Sequence, residues 1–310
     1  MSPPYPSVQV LANDGTGRLA RPVDSLGWTR HVRETPVIAD LDGDGADDLA
    51  FSVNRGGLRQ VAVRWADRLP GTGAFEVFPT ENSIRPRYAG DFNGDGQMDL
   101  VGFDTWMTLL LGAGDGQLVE SYVRPAPGAL TARIDLQSNG TDDLLLAFDD
   151  RLFYWAGHPV RPLYAGGYAP QTSEGEVHTG FLNDDAYPDF VVDREDDTVL
   201  MYRSTDGNTA RGGQKVFVPG KRESRLVAVA DLDGNGRHEL LFSGKYGASR
   251  LLVVETNPDG SFGASFELYG TDSYGRISVA DLDDDGRDEI VIADGRREVR
   301  VIRNRSSASP

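Results

Sequence analysis

Short apolar runs rich in Val, Ile, Leu and Phe alternate along this chain with acidic, glycine-rich segments. The alternation repeats six times, at intervals of 44 to 51 residues. The first acidic segment, DLDGDGADDLAF, begins at Asp40, and variants of it begin at Asp91, Asp135, Phe181, Asp231 and Asp281. Runs that are this short, β-branched and bounded by glycine predict β-strands rather than helices.

Each repeat contains four such runs. After the second acidic segment come LVGFD, WMTLLLG, the turn GAGDGQ and LVESYV, and after the fifth come LLFSG, SRLLVVE, NPDGS and FGASFELY. A repeat of this size is one supersecondary unit that cannot bury its own face, so neighbouring units must stack. Four strands in about 48 residues are typical of a propeller blade, and radial closure protects the sheet edges. The sequence therefore predicts an all-β fold, a single β-propeller domain over residues 1–310.

The two ends of the chain predict how the ring closes. The segment SVQVLANDGTGRLARPV resembles the third strand, turn and fourth strand of a repeat, whereas the last repeat stops after its third strand, REVRVIRN. We expect the N-terminal segment to supply the missing outer strand and to close a ring of six blades. The spare strand from Val8 to Leu11 leaves seven blades as an alternative.

The acidic segments, numbered loops 1 to 6, place oxygen ligands at fixed positions. In loop 1, carboxylates occupy positions 1, 3, 5 and 9, and glycines at positions 4 and 6 let the backbone turn so that the carboxylates converge. Two like charges about 4 Å apart repel by about 1 kcal/mol in water, and by more near a protein surface, so the cluster requires a cation. An all-oxygen set with a backbone carbonyl at position 7 suits Ca²⁺ better than Mg²⁺.

An EF-hand is the competing interpretation, because its loop also begins D-x-D-x-D-G. It requires a bidentate Glu at position 12 and flanking helices, whereas position 12 is Phe51 in loop 1 and an apolar residue or glycine in every other loop. The sequence therefore predicts four to five structural calcium ions on strand-flanked loops. The predicted ligands are Asp40, Asp42, Asp44, Ala46 and Asp48; Asp91, Asn93, Asp95, Gln97 and Asp99; Asp135, Gln137, Asn139, Thr141 and Asp143; Asp231, Asp233, Asn235, Arg237 and Glu239; and Asp281, Asp283, Asp285, Arg287 and Glu289.

The six loops differ in their ligand sets. Loops 1, 2 and 6 keep full sets of oxygen ligands, and the set of loop 5 is nearly as complete. Loop 3 carries less negative charge. Loop 4 has Phe181 at position 1 and Ala186 in place of the turn glycine, and it keeps only Asn183, Asp185 and Asp189. We expect loop 4 to hold no ion.

The pattern D-x-D-G-D-G-x-x-D-L at this period resembles the FG-GAP or VCBS-type repeat of integrin α-subunit heads. The resemblance covers the chain from about Val8 to Arg303, with loop 4 departing from it. It implies a calcium-loop propeller, and it leaves the activity open because adhesins, lectins and polysaccharide lyases share the repeat.

Composition and charge argue against some classes of binding partner. The formal net charge is −17 and no basic stripe is visible, which argues against a nucleic-acid partner. No apolar stretch approaches the roughly 20 residues of a membrane span, so we expect no membrane insertion. Arginine outnumbers lysine 28 to 3, which is typical of a GC-rich bacterial genome. Calcium loops favour an extracellular protein whose signal peptide was trimmed, and the start MSPPYPSVQV favours the cytoplasmic alternative.

A ligand of a propeller is expected at the mouth of the central channel, where the innermost strands begin. The predicted ligand-binding residues are Arg85, Tyr88, His178, Arg225 and Arg276, and they suit a glycan or a small anionic ligand. The catalytic candidates are His178, Glu176 and Tyr274. Two functions remain open: a ligand-binding module, and an enzyme that is either lyase-like or a biosynthetic cyclase or isomerase.

Overall fold

The computed structural model describes residues 8–13, 19–26, 35–66, 75–125, 129–148, 151–158, 164–169, 176–194, 196–204, 213–244, 250–268, 276–293 and 299–303. All regular structure in these ranges is β-strand, in agreement with the predicted all-β class. None of the described segments forms a helix long and apolar enough to cross a membrane.

Six antiparallel sheets follow one another along the chain, and we call them blades 1 to 6. Blade 1 contains β3 (Val37–Ala39), β4 (Asp48–Arg55), β5 (Leu58–Arg64) and β6 (Glu76–Phe78), and blade 2 contains β7 (Pro86–Gly90), β8 (Asp99–Phe103), β9 (Trp106–Gly112) and β10 (Leu118–Pro125). Blade 3 contains β11 (Ala129–Ile134), β12 (Asp143–Phe148), β13 (Arg151–Ala156) and β14 (Tyr164–Ala169), and blade 4 contains β15 (Val177–Gly180), β16 (Asp189–Asp193), β17 (Thr198–Tyr202) and β18 (Gln214–Phe217). Blade 5 contains β19 (Ser224–Ala230), β20 (Glu239–Gly244), β21 (Leu251–Thr256) and β22 (Phe262–Leu268), and blade 6 contains β23 (Arg276–Ala280), β24 (Glu289–Ala293) and β25 (Val299–Ile302).

The strand order within every blade is the order of the chain, so blades 1 to 5 are four-stranded meanders, and the described residues of blade 6 form three strands. First strands of successive blades lie side by side, from β3 to β7 and onward to β23. Each acidic loop joins the first strand of its blade to the second, as predicted. This arrangement is a β-propeller, and its six blades agree with the predicted count.

The N-terminal strands form a hairpin of their own, in which β1 (Val8–Asn13) pairs with β2 (Leu19–Leu26). Among the described strands, no pairing joins this hairpin to blade 6. Closure of the ring by the N-terminal segment therefore stays a prediction. A hydrogen bond between the first and last blades does exist, because Arg276 Nη1 donates to Thr35 Oγ1 at 2.7 Å.

The hydrophobic core is divided into five clusters, and each lies between two successive blades from blade 1 to blade 6. The apolar runs of the second strands are continuous where these strands pack against a blade on each face. On β12, Leu144 and Leu146 pack toward blade 2, while Leu145 packs toward blade 4. Both faces of a central strand are buried, so its residues need no polar alternation. Outer strands such as β18 and β22 are largely exposed.

Candidate functional site

The acidic loops are held in shape by the carboxylate at position 1. Asp40 Oδ1 accepts the amides of Gly43 and Asp44 at 2.8 and 3.1 Å, and its Oδ2 accepts the amide of Gly45 at 2.9 Å. Gly43 and Gly45 have φ angles of 76° and 88°, a region that favours glycine. Position 1 makes the same bonds in loops 2 and 5, at Asp91 and Asp231.

Three of the loops bring three carboxylates together. The ligand atoms of each group lie within 4.8 Å of one another, in loops 1, 5 and 6; the groups are Asp40, Asp42 and Asp48; Asp231, Asp233 and Glu239; and Asp281, Asp283 and Asp285. Loops 2 and 3 form no such group among the described residues. In loop 2, Asn93 Nδ2 instead donates to Asp95 Oδ2 at 2.9 Å. Of the five predicted calcium sites, those in loops 1, 5 and 6 are therefore the ones in which three carboxylates lie close together.

Position 9 has a structural role that the sequence did not reveal. Asp99 is fully buried, and its Oδ2 accepts the amide of Phe92 at 3.0 Å while its Oδ1 accepts the amide of Gly112 at 2.9 Å. One carboxylate thereby ties the loop to the end of the third strand. Asp48 and Asp143 make equivalent pairs of bonds in blades 1 and 3. These predicted metal ligands therefore act at the same time as clamps on the backbone.

A glutamate at position 9 behaves differently. Glu289 Oε2 accepts the amide of Leu282 at 2.8 Å, but its buried Oε1 has no hydrogen-bond partner among the described residues. The buried Asp283 Oδ1 of the same loop also lacks one. Ionised carboxylate oxygens can only accept, so two such oxygens beside the carboxylates of Asp281 and Asp285 suit a cation as their partner. Loop 6 therefore fits a calcium ion best.

Burial raises the pKa of several position-9 carboxyls. The pKa of Asp99, Asp143, Asp189 and Glu239 rises to about 7 in each case, because desolvation outweighs the backbone hydrogen bonds that favour the charged form. The folded state therefore holds protons that the unfolded chain releases.

With a chelator present, we expect the free energy of unfolding to fall as pH rises from about 4 to about 7. A group whose pKa is raised by folding contributes stability below its unfolded pKa, and that contribution is lost as pH passes its folded value. Asp143→Asn removes one of these groups. The free energy of unfolding of this variant should therefore fall less steeply with pH, by up to about 1 kcal/mol per pH unit, the contribution of one proton. Urea unfolding at a series of pH values measures both slopes.

Asp115→Asn is the matched control, because the Asp115 side chain is in an exposed turn. It should leave the slope unchanged. Parallel declines for the wild type and Asp143→Asn would show that Asp143 does not retain a proton in the folded protein.

The residue at position 8 connects neighbouring blades. The amide of Asp142 in blade 3 donates to the carbonyl of Asp91 in blade 2 at 2.7 Å, and Asp142 Oδ2 accepts the amide of Asp91 at 3.0 Å. Asp288 and Asp231 form the same reciprocal pair between blades 6 and 5, at 2.8 and 3.1 Å. The residue at position 8 therefore makes hydrogen bonds between neighbouring blades rather than within its own loop.

Loop 4 is adapted to the same connection. His238, at position 8 of loop 5, donates its amide to the carbonyl of Phe181 at 2.7 Å and accepts the amide of Phe181 through Nδ1 at 2.8 Å. The two rings stack with centroids 5.9 Å apart. Position 1 is a predicted metal ligand in the other loops. In loop 4 it is an aromatic residue that packs against the next blade.

A cavity of about 410 Å³ lies where the first strands of blades 2 to 6 converge. It is lined by Tyr88, Ala132, Arg133, Val177, His178, Thr179, Val227, Ala228, Val229, Ile277, Ser278 and Val279. Its volume is in the range of small-molecule sites. This cavity occupies the predicted channel position, and two of the predicted ligand-binding residues, Tyr88 and His178, line it.

His178 is the most unusual polar group of the cavity. Its side chain is 19% exposed, and its Nε2 atom is buried without a hydrogen-bond partner among the described residues. Glu176 Oε2 lies 4.0 Å from Nε2, beyond hydrogen-bond distance. Burial lowers the pKa of His178, more strongly than the carboxylates of Glu176 and Asp193 raise it. The imidazole is therefore neutral near pH 7, and its Nε2 is an unsatisfied acceptor that is closed off from solvent.

The predicted arginines lie elsewhere. Arg85 Nη2 is 3.4 Å from Asp104 Oδ1, Arg276 donates to Thr35, and Arg225 is exposed. These three are not among the described residues that line the cavity. The catalytic candidate Tyr274 lies outside the described residues.

Comparison with known proteins identifies the repeat. The model of the FG-GAP-like repeat matches residues 40–102 and 231–292, which contain loops 1, 2, 5 and 6. The chain thus carries FG-GAP-like repeats in two regions. No curated protein matches the sequence.

Solved structures with the same fold are distant in sequence. A periplasmic gluconolactonase of Pseudomonas aeruginosa, PpgL, aligns with a TM-score of 0.64 at 17% identity, covering 94% of this chain and 86% of that one. BBS1N, solved in complex with ARL6DN, aligns with a TM-score of 0.59 at 13% identity, covering 97% and 84%. A protein from Lactobacillus plantarum aligns with a TM-score of 0.58 at 12% identity, covering 90% and 87%. At these identities the comparisons show the propeller fold alone.

Proposed function

We propose that this propeller of FG-GAP-like repeats is a calcium-stabilised binding module that holds a glycan-type ligand in its central channel. The observation that carries the proposal is the cavity of about 410 Å³ formed by the first strands of five blades. It combines aliphatic walls with a few polar groups, which is the usual make-up of a small-molecule site.

Calcium has a structural role in this proposal. The six nine-residue loops hold 23 of the 48 acidic residues of the chain, so their mutual repulsion opposes folding unless cations reduce it. Loops 1, 5 and 6 group three carboxylates each, and loop 6 adds two buried oxygens without hydrogen-bond partners. A calcium ion bound there would join the first strand of its blade to the second and would supply the missing positive charge.

The polar groups of the cavity suit hydroxyl-rich ligands. Tyr88 and Ser278 carry hydroxyls that both donate and accept, and the Thr179 hydroxyl, which lies 3.5 Å from the carbonyl oxygen of Arg133, can bond a ligand as well. His178 adds an imidazole whose Nε2 makes no hydrogen bond to the described residues. The Tyr88 ring also presents an aromatic surface. A sugar needs this combination, because its ring has an apolar face and its hydroxyls require paired donors and acceptors.

Isothermal titration calorimetry with neutral and acidic mono- and disaccharides tests the proposal, with Thr179→Val as the diagnostic variant. This change removes the Thr179 hydroxyl and keeps the side-chain shape, so the affinity should fall about fivefold, the value of one hydrogen bond. Tyr187→Phe is the control, since it also removes one hydroxyl but lies in loop 4 outside the cavity. Absence of binding across the panel, or equal affinities for wild type and Thr179→Val, would contradict the proposal.

An enzyme is the second candidate, and His178 favours it. The His178 imidazole is neutral and belongs to the cavity wall, and with its ring turned so that Nε2 faces the cavity it can accept a proton from a bound ligand, as lyases and isomerases require. Mass spectrometry of the same saccharides after prolonged incubation distinguishes the two. Unchanged saccharides indicate a binding module, and products that disappear in His178→Gln indicate an enzyme.

A further inference from the structure

The channel cavity has two chemically different sides. Blades 2 to 4 supply its polar groups, namely Tyr88, Arg133, His178 and Thr179. Blades 5 and 6 supply Val227, Val229, Ile277 and Val279, with Ser278 as the polar residue on that side. The division follows the blades, so one ligand that fills the cavity must touch a polar wall and an aliphatic wall at once.

The polar wall carries no uncompensated charge. Arg133 Nη1 is 2.9 Å from Asp142 Oδ2, so the guanidinium is already paired with a carboxylate. That carboxylate is fixed in turn, because it also accepts the amide of Asp91 in the connection between blades 2 and 3. The Arg133–Asp142 pair therefore presents no net charge to an anionic ligand, and part of the guanidinium is already committed to Asp142.

The other two ionisable groups of the wall are neutral as well. His178 has its pKa lowered by burial, and Tyr88 has its pKa raised by burial despite the nearby charge of Arg87. A carboxylate or phosphate placed between them would lose its water without gaining an unpaired cation, which is unfavourable. Aliphatic surface on blades 5 and 6, in contrast, would favour an apolar group, because burying apolar surface away from water is favourable.

We infer that the cavity selects a neutral, amphipathic glycoside, with its hydroxylated ring against blades 2 to 4 and its apolar substituent against blades 5 and 6. The inference rests on the proposed function and sharpens it, since it chooses neutral over anionic glycans. It assigns Val227 and Ile277 as residues that bind the apolar substituent, and His178 and Thr179 as residues that bind the ring.

The test is a calorimetric comparison of three ligand forms for each of glucose, galactose and mannose. The forms are the methyl glycoside, the octyl glycoside below its micelle concentration, and the methyl glycoside of the corresponding uronic acid. In at least one sugar series, we expect the octyl glycoside to bind at least tenfold more tightly than the methyl glycoside, and the uronate to bind more weakly than both.

Val227→Thr should reduce the preference for octyl over methyl glycoside at least threefold, because it places a hydroxyl on the aliphatic wall without changing the side-chain shape. Ile277→Thr is the second variant, to be used if melting shows that the first is misfolded. Thr179→Val should weaken the octyl and methyl glycosides by the same factor, which keeps the preference unchanged.

The outcomes separate the inference from the proposed function. A uronate that binds as tightly as its neutral methyl glycoside, or an octyl group that adds nothing, overturns the inference and leaves the glycan-binding module standing. Octanol that binds as tightly as octyl glycoside, or no binding by any member of the panel, overturns the proposed function itself.

Discussion

Replacing Lys221 with methionine is expected to lower the free energy of unfolding by about 3–5 kcal/mol. The Lys221 side chain is 1% exposed, and its ammonium lies 2.7 Å from Asp193 Oδ1. It also donates to the carbonyls of Arg194, Asp196 and Thr198. Methionine fills a similar volume but removes the donor of three carbonyls and leaves the buried Asp193 carboxylate with no cation, bonded to the amide of Leu226 alone among the described residues. Urea unfolding measures the loss.

Lys215, on the last strand of blade 4 shortly before Lys221, provides the matched control. Lys215 Nζ is 2.8 Å from Asp196 Oδ2, but both side chains are about half exposed, at 55% and 46%. An exposed pair contributes at most about 1 kcal/mol, so Lys215→Met should be close to neutral. Adding Asp193→Asn to Lys221→Met should restore part of the lost stability, because no unpaired charge then remains buried. Similar losses for the two lysine variants would show that burial does not set the strength of the Lys221 pair.

The overall fold could be predicted from the sequence because its signal repeats. Four apolar runs per period predicted four strands per blade, and the runs LVGFD and WMTLLLG are β8 and β9 in the structure. The loops also lie where they were expected, between first and second strands. Six similar copies of the repeat support the same prediction of four strands and a loop, which a single copy could not do.

The connections between blades could not be predicted in this way, because they join residues that are about one repeat apart. His238 had no partner in the sequence, yet it bonds to Phe181, 57 residues away. Comparison of position 8 across the copies, which holds Asp47, Met98, Asp142, Pro188, His238 and Asp288, is the signal that could have revealed it. Carboxylates and a histidine recur there, while proline in blade 4 cannot donate its amide.

Lys221 and the position-9 clamps were missed for a related reason. Spacing alone placed the position-9 carboxylates of loops 1, 2, 3, 5 and 6 on a metal, but Asp99 and Asp143 use both oxygens for backbone amides. The length of the side chain matters here, since Asp99 and Asp143 accept two amides each, whereas Glu289 accepts one and leaves its Oε1 without a hydrogen bond among the described residues. Such a difference appears only once the side chains are placed.

Removal of calcium is expected to have the largest effect on stability. An ion present at 100 times its dissociation constant stabilises its site by about 2.7 kcal/mol, so three occupied loops would contribute about 8 kcal/mol. Chelation should therefore lower the melting temperature by at least about 10 °C, and excess Ca²⁺ should restore it. Differential scanning calorimetry with EGTA and with added Ca²⁺ measures the difference, and a melting curve that the chelator does not change would refute calcium binding.

Single-residue variants show which loops are responsible for that difference. Asp42→Ala in loop 1 and Asp283→Ala in loop 6 each remove a member of a carboxylate group, so each should lose about one third of the calcium-dependent stabilisation. Asn183→Ala changes the same position of loop 4, where Phe181 occupies position 1 and stacks on His238, so its response to Ca²⁺ should equal that of the wild type. Because Asn183 also donates to Asp189, this variant is compared with the wild type by its calcium response and not by its absolute stability. Equal losses of calcium response in all three variants would mean that loop 4 binds the ion as well, and that stacking on the next blade has not replaced its metal.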